Sequence, residues 1–266
     1  MCHSKQRLAR LAMHVVLPFM LLCCGLGNIR CFADHENRQD LRSLLDFKHG
    51  ITSDPYGALS SWNTSTHFCR WKCVGCSLTR PWRVTQLNLT SQNLSGQISP
   101  SLGNLTFLST LDLSYNNFVG PLPTLNRFQR LVIFYLNNNN FHGAIPDTFA
   151  NSSNLVRIDL SVNLLVGSIP ESLPSLSNIL YINLESNQLE GGIPRNMSTT
   201  ITCLNLGGNR LSGPIFPQGV LNLCNLQYLS LENNMLGGEL PPDMGSMPNL
   251  THLTLSGNMI EGRIPA

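Results

Sequence analysis

A short motif built from leucines, one asparagine and one glycine returns along most of this chain at a nearly fixed step. One copy reads Leu111-Asp112-Leu113-Ser114-Tyr115-Asn116-Asn117-Phe118-Val119-Gly120-Pro121-Leu122-Pro123. The first apolar residue of each copy falls at Leu87, Leu111, Phe134, Ile158, Ile182, Leu204, Leu229 and Leu253, giving steps of 24, 23, 24, 24, 22, 25 and 24 residues. Eight copies at that spacing point to a solenoid, in which no unit buries its own apolar face and each is covered by its neighbours. Length then sets the number of coils and implies no second domain.

Each place in the copy has a physical job. The L-x-L pair alternates in and out as a strand does, so Leu111 and Leu113 face the core and Asp112 the other side. A further apolar residue stands three places earlier, at Val84, Leu108, Leu131, Leu155, Ile179, Ile201, Leu226 and Leu250. The polar column runs Gln92, Asn116, Asn139, Asn163, Asn187, Asn209, Asn234 and Asn258. These amides are expected to be buried at a turn, pairing backbone groups of their own and the adjacent coil. Glycine follows four places later, from Gly96 to Gly262, where a left-handed or closely approached backbone is expected.

Four copies close on Ile-Pro, at Ile145-Pro146, Ile169-Pro170, Ile193-Pro194 and Ile264-Pro265, with Leu122-Pro123 and Leu240-Pro241 as variants. The full unit, L-x-x-L-x-L-x-x-N-x-L-x-G-x-I-P, resembles the plant-type leucine-rich repeat of receptor-like kinases, receptor-like proteins and secreted enzyme inhibitors. The resemblance covers about residues 36–266. It implies an α/β solenoid, an arc with one parallel concave β-sheet and a helical amino-terminal cap. Two copies depart: Ser99 follows Ile98, and Phe216 separates Ile215 from Pro217. The steps of 22 and 25 residues flank that second copy, so the stacking is expected to be irregular there.

Residues 1–33 read as a secretion signal. Lys5, Arg7 and Arg10 form a basic head, Leu11 to Leu26 is mostly apolar, and Cys31-Phe32-Ala33 ends the segment with small residues at the cleavage-determining places. This leader holds four of the 17 basic residues and none of the 15 acidic ones, so the remainder is 13 basic against 15 acidic and the formal +2 belongs to targeting. Nothing in that balance favours nucleic acid. The expected destination is extracellular, with a plasma-membrane location for a longer form bearing a transmembrane helix.

Residues 34–83 are expected to form the cap, and 84–266 about eight repeats. Asn37-Arg38-Gln39-Asp40 suggests a helix start with Asp40 three places after the capping asparagine. Leu41, Leu44, Leu45 and Ile51 follow at helical spacing, Lys48 interrupts them, and Gly50 suggests the stop. Then comes Cys69-Arg70-Trp71-Lys72-Cys73-Val74-Gly75-Cys76, similar to the C-x-W-x-G-V-x-C cap of the same family. That resemblance implies a Cys69–Cys76 disulfide. Cys73 stands where the family has glycine and is left over; the pairing of Cys203 and Cys224 stays open. Trp62 and Trp71 are expected to pack on the first coil.

Asn63, Asn88, Asn93, Asn104, Asn151, Asn196 and Asn249 each head an N-x-S/T acceptor triplet, which suits a secreted chain. Asn88 lies between two strand leucines; Asn104, Asn151 and Asn249, on outer turns, are expected to carry sugar more readily. The chain holds no G-x-S-x-G, H-E-x-x-H or phosphate-binding glycine loop, and no kinase signature. His67, His142 and His252 are far apart, so no metal or cofactor is expected. The chain reads as a non-enzyme; a kinase activity would belong to a domain outside it. It ends within a copy, which suggests the amino-terminal part of a longer receptor, uncapped at its last coil. The binding surface is expected on the outward strand column, with Tyr135, Arg157, Tyr181, Glu185, Tyr228 and Glu232 as candidate ligand residues, because large aromatic and arginine side chains anchor interfaces. The resemblance implies a peptide or protein ligand, a co-receptor ectodomain among the candidates, and immune or developmental signalling. A secreted inhibitor similar to the polygalacturonase inhibitors is the alternative.

Overall fold

A computed structural model describes residues 37–264, apart from 125, 126, 243, 245 and 246. The expected leader, residues 34–36 and Pro265 lie outside the described residues. What is described belongs to one compact unit.

The repeat becomes two parallel sheets joined by turns. One holds Val84–Asn88, Thr110–Asp112, Ile133–Tyr135, Arg157–Asp159, Tyr181–Asn183, Cys203–Asn205, Tyr228–Ser230 and His252–Thr254. This is the expected concave sheet. Its register is unbroken, pairing Leu111 with Phe134, Phe134 with Ile158 and Ile158 with Ile182. A second sheet, not foreseen from the sequence, is formed by the segment after each asparagine, from Ser95–Gln97 to Met259–Glu261. The core lies between them. Leu111, Leu113, Phe134, Leu136, Ile158 and Leu160 are fully buried from one side and Phe118, Phe141 and Leu165 from the other. Phe118 and Phe141 stack with centroids 6.2 Å apart. In the eighth coil Leu253, Leu255 and Ile260 are half-buried and Ile264 is exposed.

The asparagine column works as a ladder. Asn139 donates to the carbonyls of Leu113, Leu136 and Asn137 and accepts from the Phe118 amide. Asn163, Asn187, Asn209 and Asn234 repeat the pattern. Each amide therefore ties two coils through backbone groups that would otherwise be buried unpaired. The glycine column has positive φ throughout, and Gly96 adds a close approach: a Cβ there would stand 2.2 Å from the Gly50 carbonyl oxygen.

The irregular copy leaves the concave register intact, since Tyr181, Cys203 and Tyr228 remain side by side. The adjustment falls on the other side of the coil. Glu171 accepts from the amides of Arg195 and Asn196, and the short helix Gln218–Leu221 comes so close that a Cβ on Gly219 would lie 2.0 Å from the Arg195 carbonyl oxygen. A cavity of about 10 Å³ lined by Ile169, Leu173, Ile182, Met197 and Leu204, among others, lies in this region.

The cap is built on helix Arg38–His49. Asn37 caps it through bonds from the Gln39 and Asp40 amides, 3.0 Å each. The expected capping acid instead turns inward, with the Asp40 carboxylate fully buried against Arg83 and the Val84 amide. The buried face is therefore Asp40, Ser43, Leu44 and Phe47, while Leu41 and Leu45 are half-buried and Ile51 has left the helix for a strand. Two polar residues on that face hid it from an apolar count. Gly50 is right-handed, at φ −76°, so it does not end the helix by a left-handed turn; a Cβ there would meet the Gln97 carbonyl oxygen at 2.6 Å. Lys48 turns its ammonium to the Trp62 carbonyl, which explains its place in an apolar row. Trp62 and Trp71 are buried and stacked 5.4 Å apart, with Phe47 bridging Trp62 to Phe118 of the second coil.

Cys69 and Cys76 form a disulfide; Cys73, Cys203 and Cys224 are free. Cys73 has φ +69°, the backbone that the family's glycine would favour, and burial raises its thiol pKa. Cys69→Ser should lower stability by about 3 kcal/mol in a urea titration. A loss under about 1 kcal/mol would show that the bridge does not hold the cap.

Candidate functional site

The strands of the concave sheet are so short that each sends only two side chains outward, one before and one after its first core residue. Constant register turns these into columns. Residues Ile133, Arg157, Tyr181, Cys203, Tyr228 and His252 form one; Asp112, Tyr135, Asp159, Asn183, Asn205, Ser230 and Thr254 form the next. A third column, just past the strands, contains Ser161, Glu185, Gly207 and Glu232.

Five of the six expected ligand residues lie in three neighbourhoods of this face. The Arg157 guanidinium sits 6.0 Å from the Tyr181 ring centre, and the Tyr181 hydroxyl donates to Asp159 at 3.3 Å. Asn183 donates to the same carboxylate, and Ser161 donates to its other oxygen at 2.6 Å. Glu185 accepts from Asn205 at 2.9 Å, one coil on. From the opposite direction Glu232 reaches back over Gly207: a Cβ on that glycine would stand 3.1 Å from Glu232 Cγ. Tyr228 lies beside His252, ring centres 6.0 Å apart. Tyr135 is half-buried two strands before Tyr181 and shares its column with Asp159. Tyr115 is not on the strand face; it occupies the following turn at φ +56°. Asp159 and Asn205 carry more of the geometry than the sequence indicated. The alternation placed both outward, but not as hydrogen-bond hubs.

Burial, then the neighbouring Asp159 carboxylate, raises the Cys203 pKa to about 11, against a lowering by Arg157. It is a neutral thiol at physiological pH. The same two causes, in the same order, raise Tyr181 above the ordinary phenol value, so it is a hydrogen-bond donor at any physiological pH.

All seven sequon asparagines lie outside the concave columns from the second coil onward. Asn88 is on the first strand and exposed. Asn63, Asn93, Asn151, Asn196 and Asn249 are exposed in the cap, turns and coil backs, and Asn104 is half-buried beside Arg127. Asn249 belongs to a second amide ladder: it donates to Cys224, as Asn225 does to Thr199, Asn178 to Ser153 and Asn154 to Gln129. Among the described residues no group of three or more metal-ligating side chains occurs, and no helix is long and apolar enough to cross a membrane.

Comparison with known proteins places this architecture. A leucine-rich repeat N-terminal domain model matches residues 37–77, and leucine-rich repeat models match 107–127, 129–189, 225–247 and 249–266. The ectodomain of the plant membrane receptor kinase GASSHO1/SCHENGEN3 from Arabidopsis thaliana, solved with Casparian strip integrity factor 2, is 33% identical with TM-score 0.77, over 85% of this chain and 30% of that one. The Arabidopsis BIR2 ectodomain is 33% identical with TM-score 0.57, over 64% of this chain and 92% of its own. Arabidopsis HAESA, solved with the peptide hormone IDA and the co-receptor SERK1, is 27% identical with TM-score 0.58, over 86% of this chain and 47% of that one. Curated relatives are plant receptor-like kinases and receptor-like proteins, and the chain spans only 8% to 17% of the length of those it matches. A capped solenoid with this asparagine ladder, covering nearly the whole of a solved ectodomain at that identity, belongs to the leucine-rich repeat ectodomain family of plant receptor kinases and receptor-like proteins.

Proposed function

We propose that this chain is the extracellular recognition part of a plant receptor and holds a peptide or partner ectodomain on its concave face, over the fourth to seventh coils. The observation that carries this is the column Arg157, Tyr181, Cys203, Tyr228: three large anchoring side chains, the two tyrosines parted by one small residue, on a sheet face with no structural duty and no sequon across it. The HAESA complex with a peptide hormone and a co-receptor supports that class of ligand. Immune or developmental signalling and a plasma-membrane setting follow from the same reading. So does the view that any kinase activity resides in another domain.

The test is to pan a random dodecapeptide phage library on the glycosylated chain. Binders should weaken by about 2 kcal/mol, roughly thirtyfold, when Arg157 and Tyr181 become alanine. Replacing Gln129 and Ser177, both exposed on turns, should change little. Binders sensitive to the turn changes and indifferent to the strand changes would place recognition elsewhere.

A further inference from the structure

The concave face has relief as well as charge. The sixth coil contributes small residues, Cys203 and Gly207, at the two ends of its outward row, with Asn205 between them; Cys203 is half-buried, and Asn205 and Gly207 are buried beneath the neighbouring side chains. The coils on either side contribute large ones. Tyr181 and Glu185 stand on the fifth and Tyr228 and Glu232 on the seventh, in register with that floor. Two tyrosines therefore face each other across Cys203, and two glutamates reach the floor from opposite sides. Glu185 is fastened to Asn205, whose own oxygen accepts from the Gly207 amide, and Glu232 lies over Gly207. Asn205 cannot neutralise a carboxylate, so both negative charges remain.

The wider face has the same sign. Asp112, Asp159, Glu185 and Glu232 stand on it against Arg157 alone, and that guanidinium is already placed against Tyr181. Composition does not force this, since beyond the expected leader 13 basic residues stand against 15 acidic ones, close to balance. The other arginines of the repeats, Arg127, Arg130, Arg195, Arg210 and Arg263, sit on turns or the second sheet.

We infer that this trough over the sixth coil takes one arginine or lysine side chain of an extended peptide. Its stem lies between Tyr181 and Tyr228 and its cation between Glu185 and Glu232. The inference deepens the proposed concave recognition and rests on it. Tyrosine faces receive the methylene stem and attract a cation through their rings. A cation placed between two partly shielded carboxylates gains more than it would in water. The sheet lends directional columns, so the peptide backbone runs across the coils while one side chain points down past Cys203 toward the two glutamates.

The experiment uses four seven-residue glycine-serine peptides with a central arginine, lysine, citrulline or glutamate, titrated against the glycosylated chain by NMR. The arginine and lysine peptides should bind at least tenfold more tightly than the citrulline and glutamate ones. Glu185→Gln with Glu232→Gln should remove that preference, and added salt should weaken it. Cys203→Phe, which raises the floor without changing charge, should also remove it. Glu190→Gln with Glu261→Gln, exposed on the second sheet, should leave it intact and so exclude a simple net-charge effect. Equal binding of arginine and citrulline peptides, or a preference surviving both trough variants, overturns the assignment. If phage-selected binders depend on Arg157 and Tyr181 but carry no basic residue and ignore the glutamate changes, the cation assignment falls and concave recognition stands. If binding depends on none of these residues, both fall.

Discussion

Asn163→Ala should destabilise the array by at least about 4 kcal/mol, more than a typical core truncation of the same size. Its side chain is almost fully buried and serves four backbone groups. It donates to the carbonyls of Leu136, Leu160 and Ser161 at 3.1 Å each and accepts from the Phe141 amide at 3.0 Å. Leaving a buried donor or acceptor unmade costs about 1–3 kcal/mol. Water entering beside the turn recovers part of the four-group total, which sets the lower figure. The loss is also shared between coils, because Leu136 and Phe141 belong to the preceding one. Asn163→Asp should be no better, since a carboxylate cannot donate and would face three carbonyl oxygens. Asn140→Ala, exposed on the second sheet, is the matched control and should stay within about 0.5 kcal/mol. Urea midpoints give the comparison, and amide exchange at Phe141 localises it. A loss below about 1 kcal/mol, with Phe141 still protected, would mean that the ladder is not what ties these coils.

The fold was legible because a solenoid writes its geometry in a period. Leucine spacing gave the concave strands, and the asparagine and glycine columns gave the turn. The second sheet escaped because its strands consist of three to five residues, most of them containing glycine and two ending on Gly-Pro, which read as turn. The cap was legible where contacts are local, as in Asn37 capping its own helix. It was opaque where they are not: nothing in the sequence links Asp40 to Arg83, 43 residues away. The site divides the same way. Alternation placed Arg157, Tyr181 and Tyr228 in one outward column, but the meeting of Glu185 with Asn205 and of Glu232 with Gly207 depends on which way flexible side chains lean across a coil. The small residues beneath the charges, Cys203 and Gly207, emerge only when the outward columns are compared at one coil.

Arg83→Ala should cost about 3–5 kcal/mol, the penalty for stranding a buried carboxylate. Asp40 is fully buried and takes two bonds from the Arg83 guanidinium, at 2.9 and 3.0 Å, in the bidentate geometry that lysine cannot copy. The same guanidinium donates to Thr106 and covers one ring, Phe107, which Arg130 of the third coil also approaches, at 4.2 and 4.0 Å respectively. One side chain thus joins the cap helix to the first two coils. Its removal also withdraws packing, so Arg83→Lys should lose about 1–2 kcal/mol even with charge retained. The discriminating variant is Arg83→Ala combined with Asp40→Asn. The amide oxygen still accepts from the Val84 amide, now without a buried charge, so the double variant should recover about 2 kcal/mol of the single loss. Had the arginine acted only through its stacking on Phe107, the double variant would be no more stable than Arg83→Ala. Unfolding should begin at the cap, with exchange rising first in Val84–Asn88 and Thr110–Asp112 while Tyr181–Asn183 stays protected, because coils hold one another only through their nearest neighbours.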